Sequence, residues 1–317
     1  MAWALAVFAV ILIALTAAGV DLPGWQVMLL YGAVYAGVAM VLARRSARSG
    51  DVPDYSHLPT SGPVGRGGQA LLAFTFTTSG LLSVINPLLL WQQLRQLAGQ
   101  LSIAHRVGDD PPAADSYENA VRYRLPFDGE WFVYNGGVTQ ATSHSWGLLT
   151  QRYAYDFVIV DQRYARHHGR GTRCEDYFCY GRPILAAADG EVVAMRDRVR
   201  DSWFLGYGII DFLTTDFRGN FVIIRHAPSE YGFYAHLVPG SLAVSVGDRV
   251  SAGQPVGRCG HSGFSSEPHL HFHLQDRPDF YTAMGLPVRF EAVEETERQI
   301  DSGAWLTAGS KVRHADQ

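Results

Sequence analysis

Excess positive charge is missing from this chain of 317 residues: 26 lysines and arginines stand against 30 acidic residues, a formal net charge of −4. No basic face is advertised, which argues against nucleic acid as a partner. No tandem repeat is visible. The His-Glu-x-x-His stretch is absent too, so the helical arrangement that sets two metal-binding histidines one turn apart is excluded. Between Leu125 and Leu274 there is no long amphipathic helical pattern. Cysteine is scarce, with three in all. Cys174 and Cys179, inside a polar insertion at 163–181, can close a small disulfide loop or stay free, and no other pair accompanies them to build a zinc knuckle. Cys259 reads as a small buried residue.

Apolar residues make up 47% of the chain and concentrate in its first 91 positions. Residues 2–20 and 24–43 are charge-free runs broken by Asp21-Leu22-Pro23, and roughly 20 helical residues span a bilayer core. They read as a transmembrane hairpin. A signal peptide is the competing reading of the first run, but no basic residue precedes it and a second full-length run follows at once. A third run at 69–91 is weaker, with Thr75, Thr77, Thr78, Asn86 and Pro87 inside it. Arg44, Arg45, Arg48 and Arg66 lie between the second and third runs, so that loop is assigned to the cytoplasm. Three spans then place the rest of the chain outside the membrane, and two would leave it inside.

Residues 92–124 read as a linker, with turn chemistry in Gly108-Asp109-Asp110-Pro111-Pro112. From about Leu125 short β-type runs alternate with glycine. Asp189-Gly190 is suited to a hairpin turn between 183–188 and 191–196, and 221–225 with 233–237 makes a second strand pair. The expected fold is mainly antiparallel β, in a domain at 125–280. A C-terminal extension at 281–317 follows, with a surface helix expected at 291–300 and a frayed end at 311–317.

The chemistry concentrates in His269-Leu270-His271-Phe272-His273. Side chains alternate along a strand, so the three imidazoles share one face, with neighbours roughly 6.5 Å apart. Two can then address one metal and its water. A histidine-rich polar strand face is the plainer alternative. A hydrolytic metal site needs three protein ligands and an open position, so further ligands must come from elsewhere. Asp156, flanked by Tyr155 and Phe157, is costly to bury without a cation, which could be a metal or an arginine such as Arg152 or Arg163. His144 and His236 are the remaining well-placed imidazoles.

Gly219-Asn220-Phe221-Val222-Ile223-Ile224-Arg225-His226, Tyr234-Ala235-His236-Leu237, residues 246–257 and residues 260–272 follow one another in an order and spacing that closely resemble the LytM/lysostaphin-type zinc endopeptidases. The resemblance covers about 125–275. It implies a compact antiparallel β domain with zinc in a groove, and peptidoglycan peptides as substrate. It makes His271 and Asp156 metal ligands, and His269 and His236 active-site histidines beside the water. His273 stands where the family commonly has another polar residue and reads as peripheral, and His226 reads as structural. One departure matters: the family's ligand histidine four positions before the aspartate is replaced by Arg152. A subset with Gln-Arg-Tyr-Ala-x-Asp-Phe carries that histidine further upstream. Gln151-Arg152-Tyr153-Ala154-Tyr155-Asp156-Phe157 matches it, and His144 becomes the third ligand, with His167 and His168 as alternatives. The implied activity is zinc-dependent cleavage of peptidoglycan peptide bonds. A silent cell-wall-binding or hydrolase-activating scaffold and a zinc peptidase with a protein substrate are the other readings.

Overall fold

Proline has no backbone N–H to contribute and is accommodated in the first turn of a helix, so Asn86-Pro87 starts a new helix rather than continuing an old one. In the computed structural model of the chain, Asn86 Oδ1 accepts the Leu88 N–H at 3.1 Å, an N-cap. The apolar run at 69–91 is accordingly divided. Helix α1 (Gly68–Leu82) ends in a short 3-10 turn, and helix α2 (Pro87–Val107) leaves at 98° to the first. The structure describes residues 58–59, 61–64, 68–108, 110–295 and 305–315, all within one unit, Pro53–Gln317. The expected spans at 2–20 and 24–43 lie outside the described residues. Among those described, no single helix is long and apolar enough to cross a membrane, although the bent pair passes by length and composition.

The expected linker is not one: α2 runs to Val107 and docks. Leu89 is fully buried among Phe217, Phe221, Phe233 and Phe280, a burial that contributes roughly 1.5–3 kcal/mol. Gln92 donates from Nε2 to the Thr215 carbonyl and accepts the Phe217 N–H. Gln100 bridges Gly147 and Leu149 in the same way, and Arg106 pairs with Asp276. Further on, the buried Glu230 carboxylate accepts from Tyr117, Tyr123 and the Ala120 N–H, so the residues before Leu125 are tied down as well.

Twelve strands follow among the described residues: β1 (Trp131–Asn135), β2 (Tyr155–Val158), β3 (Pro183–Leu185), β4 (Gly190–Arg196), β5 (Asn220–Ala227) and β6 (Glu230–Leu237). The others are β7 (Arg249–Val250), β8 (Pro255–Arg258), β9 (Leu270–Gln275), β10 (Gly285–Leu286), β11 (Val293–Glu295) and β12 (Lys311–His314). The large sheet is antiparallel, in the order β11-β12-β1-β2-β9-β6-β5-β4-β7, with β10 also on β9. The mainly antiparallel β expectation holds. The β5–β6 hairpin forms as expected, whereas β3 and β4 do not pair: β3 crosses to β8 in a second, two-stranded sheet. The C-terminal segment is also built in. β11, in the described part of the expected helix, and β12, in the expected frayed end, extend the sheet beyond β1, and Leu306 joins the core; 296–300 lie outside the described residues.

Period-two alternation sorts the central strands. Tyr155, Phe157, Leu270, Phe272, Leu274 and Tyr234 enter the main core, and Asp156, His271 and His273 take the opposite face. Gly99 of α2 lies so close to the domain that a Cβ there would sit 1.9 Å from the Tyr281 carbonyl oxygen. Replacing Gly99 with Ala is therefore expected to lever α2 off the sheet at a cost of about 1–3 kcal/mol, read as a lower unfolding midpoint and faster proteolysis within α2.

Candidate metal centre

The register of β2 against β9 sets Asp156 directly opposite His271, and that of β9 against β6 sets His271 opposite Ala235. Cross-strand neighbours lie about 4.5–5.5 Å apart at Cβ. His271 Nδ1 is 2.9 Å from Asp156 Oδ1. His144 comes from the loop after β1 and places Nε2 3.3 Å from Asp156 Oδ2, with a third of its side chain left exposed at the groove. Ligand atoms of His144, Asp156 and His271 all lie within 4.8 Å of one another. Asn135 of β1 donates to Asp156 Oδ2 at 2.9 Å and steadies the carboxylate. Neither Arg152 nor Arg163 is its partner; the side chains nearest its oxygens are imidazoles and the Asn135 amide. Burial pushes its pKa up, but His144, His269 and His271 together outweigh that and hold the carboxyl well below the usual range.

Hydrogen-bond directions show what these atoms lack. Gln275 donates from Nε2 to the Arg277 carbonyl at 2.7 Å, which turns its Oε1 toward His273 Nε2 at 3.1 Å. An amide oxygen only accepts, so His273 carries its proton on Nε2 and accepts at Nδ1 from His271 Nε2 at 3.1 Å. The lone pair of His271 is then on Nδ1, facing a carboxylate oxygen. Two acceptors at that distance repel unless a cation joins them or the ring gains a second proton. Two imidazole nitrogens and a carboxylate oxygen facing a groove match the donors of an open zinc site, and the residues present fit that ion. His273, expected to be peripheral, is fully buried and sets the tautomer of His271.

The other two expected histidines share the groove. His236 and His269 have ring centroids 4.8 Å apart, and His236 lies 5.9 Å from His271. His236 Nδ1 donates to the Ser262 carbonyl at 2.7 Å and His269 Nδ1 to the Glu267 carbonyl at 2.8 Å, leaving both Nε2 atoms as acceptors. His236 has φ +62, a left-handed backbone rare for a non-glycine residue and typical of positions held by function. The groove, of 780 Å³, also takes Tyr134 and Phe264, and on its far side Leu72 and Phe76 of α1. His167 and His168 are elsewhere; His167 Nε2 accepts the Gly62 N–H. His226, as expected, is structural and bonds the Asp189 carbonyl and Tyr234. The three cysteines are free thiols. Asn135 and Gln275 were missed, for nothing local in their sequence marks them.

A β domain with three metal donors and two further imidazoles in one groove has the parts of a metal-dependent hydrolase. Residues 170–280 match the model of peptidase family M23. The match includes His236, His269 and His271 and begins after His144 and Asp156. Among curated relatives, the chain is 26% identical over 153 residues to peptidoglycan DD-endopeptidase ShyA of Vibrio cholerae, covering 46% of this chain and 30% of that protein. It is 33% identical over 99 residues to glycyl-glycine endopeptidase ALE-1 of Staphylococcus capitis (31% and 22%). With murein hydrolase activator EnvC of Escherichia coli it shares 30% over 95 residues (30% and 18%). The chain thus spans less than a third of the length of each of these relatives. A crystal structure of a zinc containing peptidase from Vibrio cholerae is similar over 53% of this chain and 41% of that one, at 20% identity and a TM-score of 0.32.

Burial lowers the pKa of His236 and His273 well below the ordinary histidine value, and that of His261 to about 3. The unfolded chain, with histidines near 6.5, then binds more protons than the folded one below that pH. Stability is complete above about pH 6.5 and falls as pH drops from there toward 3, by up to about 1.4 kcal/mol per pH unit for each such histidine. Urea unfolding of the metal-free protein at pH 7.5 and 5.5 should show the loss, and His261→Phe should reduce it.

Proposed function

We propose that this protein is a zinc endopeptidase that hydrolyses peptide bonds of peptidoglycan. His144, Asp156 and His271 would hold the metal. The juxtaposed lone pairs of His271 Nδ1 and Asp156 Oδ1, 2.9 Å apart and joined by His144, are the observation that carries the reading. Bound zinc supplies Lewis acidity for the substrate carbonyl and lowers the pKa of water to about 7. His269 and His236, with protons on Nδ1 and free Nε2 atoms, orient the water, take its proton and pass it to the leaving amine. The same imidazoles, once protonated, stabilise the negative charge that develops on the carbonyl oxygen. Strain at His236 and the carbonyls of Ser262 and Glu267 keep both rings aimed before substrate arrives.

Peptidoglycan as substrate is supported by the resemblance of 125–275 and by the named activities of the relatives ShyA and ALE-1. The charge-free runs at 2–20 and 24–43 and the arginines after them support a multi-pass protein of the bacterial cytoplasmic membrane, with its catalytic domain outside. A second reading, a silent scaffold that activates another hydrolase, is favoured by the likeness to EnvC and opposed by the donor set at 144, 156 and 271.

Full-length protein in detergent, loaded with zinc, should release cross-linked peptides from purified peptidoglycan, with the bond identified by mass spectrometry. Chelator or His269→Ala should abolish release, and His144→Ala should lower zinc content. A folded, zinc-containing protein that releases nothing would turn the reading toward a protein substrate, and one that binds no zinc toward the scaffold.

A further inference from the structure

The polar insertion at 163–181 has no part in the chemistry above, yet it sends one charged side chain to the groove. Arg166 is 5% exposed, and its Nε lies 2.5 Å from Glu267 Oε1. Its guanidinium also stacks over the Tyr134 ring at 4.7 Å, and its backbone carbonyl is held by the Phe178 N–H. Glu267 is buried as well and lies two residues before His269. Its carbonyl accepts both the Ser265 hydroxyl, at 2.6 Å, and His269 Nδ1–H, at 2.8 Å. Behind Ser265, the ring of fully buried His261 approaches its hydroxyl at 2.9 Å.

A buried ion pair is weak evidence for stability, since desolvation offsets its attraction and apolar residues of the same volume serve the fold as well. What this pair provides is direction. It crosses from the insertion to the loop that orients His269, and the orientation of one carbonyl decides which nitrogen of that ring carries the proton. We propose that Arg166 is a positioning residue: through its ion pair with Glu267 it fixes the Glu267 carbonyl, which holds the proton of His269 on Nδ1 and presents Nε2 to the groove. The insertion is thereby part of the active-site support. The proposal rests on the reading that His269 acts on the reacting peptide, but its structural half can be measured without substrate.

The test compares wild type, Arg166→Lys, Arg166→Met and the double variant Arg166→Met/Glu267→Leu as full-length protein in detergent. Histidine is labelled with 15N, and the His269 signals are assigned by their loss in His269→Ala. Imidazole nitrogen shifts separate the two tautomers, with and without zinc. In Arg166→Met the His269 signal should become a mixture of tautomers. On purified peptidoglycan kcat should fall roughly tenfold to a hundredfold with KM and zinc content unchanged, and Arg166→Lys should recover part of both effects. If the single Met variant does not fold, the double variant, which leaves no charge unpaired, carries the same measurement. A mixed tautomer in it supports the proposal, and wild-type tautomer with wild-type kcat overturns it. Wild-type protein inactive on peptidoglycan would overturn the proposed substrate, while the tautomer measurement would still decide the role of Arg166.

Discussion

Asp156 is a carboxylate buried in the middle of an aromatic strand, and burying a charge there is costly unless opposite charge or donors surround it. The rest of the site is the answer to that constraint. One amide donor, from Asn135, and ring nitrogens of His144, His269 and His271 converge on its two oxygens, where a bound cation would complete the compensation. The partners come from two stretches far apart in sequence, Asn135 and His144 in and after β1 and His269 and His271 at β9, and the antiparallel register brings them together. A slip of one residue between β2 and β9 would turn Asp156 away from His271 and push Phe157 or Phe272 out of the core, so core packing and site geometry enforce the same register.

Around that centre the protein orients rings with carbonyls. Ser262 holds His236, Glu267 holds His269, and the chain from Arg277 through Gln275 and His273 holds His271. The preference of a carbonyl for a donor settles each tautomer. In an aqueous groove a mobile imidazole would sample both tautomers and present either nitrogen to the water. Rigid backbone acceptors remove that ambiguity before substrate binds.

The helix pair before the β domain adds a wall. Bent at Asn86, it buries Leu89 and Gln92 against the sheet through α2, and through α1 it turns Leu72 and Phe76 toward the groove. The same charge-free segment that hydropathy reads as a span is thus in contact with the site. Its outer face, with Leu71, Phe74, Leu88 and Trp91, stays exposed.

The sequence by itself determined the strand character of 125–275, the shared face of His269, His271 and His273, and the grouping of His144, Asp156, His236, His269 and His271. The first two depend on alternation and on motifs of short range, which a chain displays before it folds, and the grouping of the five site residues on the resemblance of 125–275 to a known family. Tertiary structure alone decided that Pro87–Val107 is a docked helix, that Lys311–His314 is a strand beside β1, and that Pro183–Leu185 pairs with β8. It alone decided as well that Asn135, Gln275 and Arg166 support the centre. Those contacts join residues far apart in the chain, and nothing local marks an asparagine, a glutamine or an arginine as the partner of a particular oxygen until the register of the sheet has brought the two within hydrogen-bonding distance.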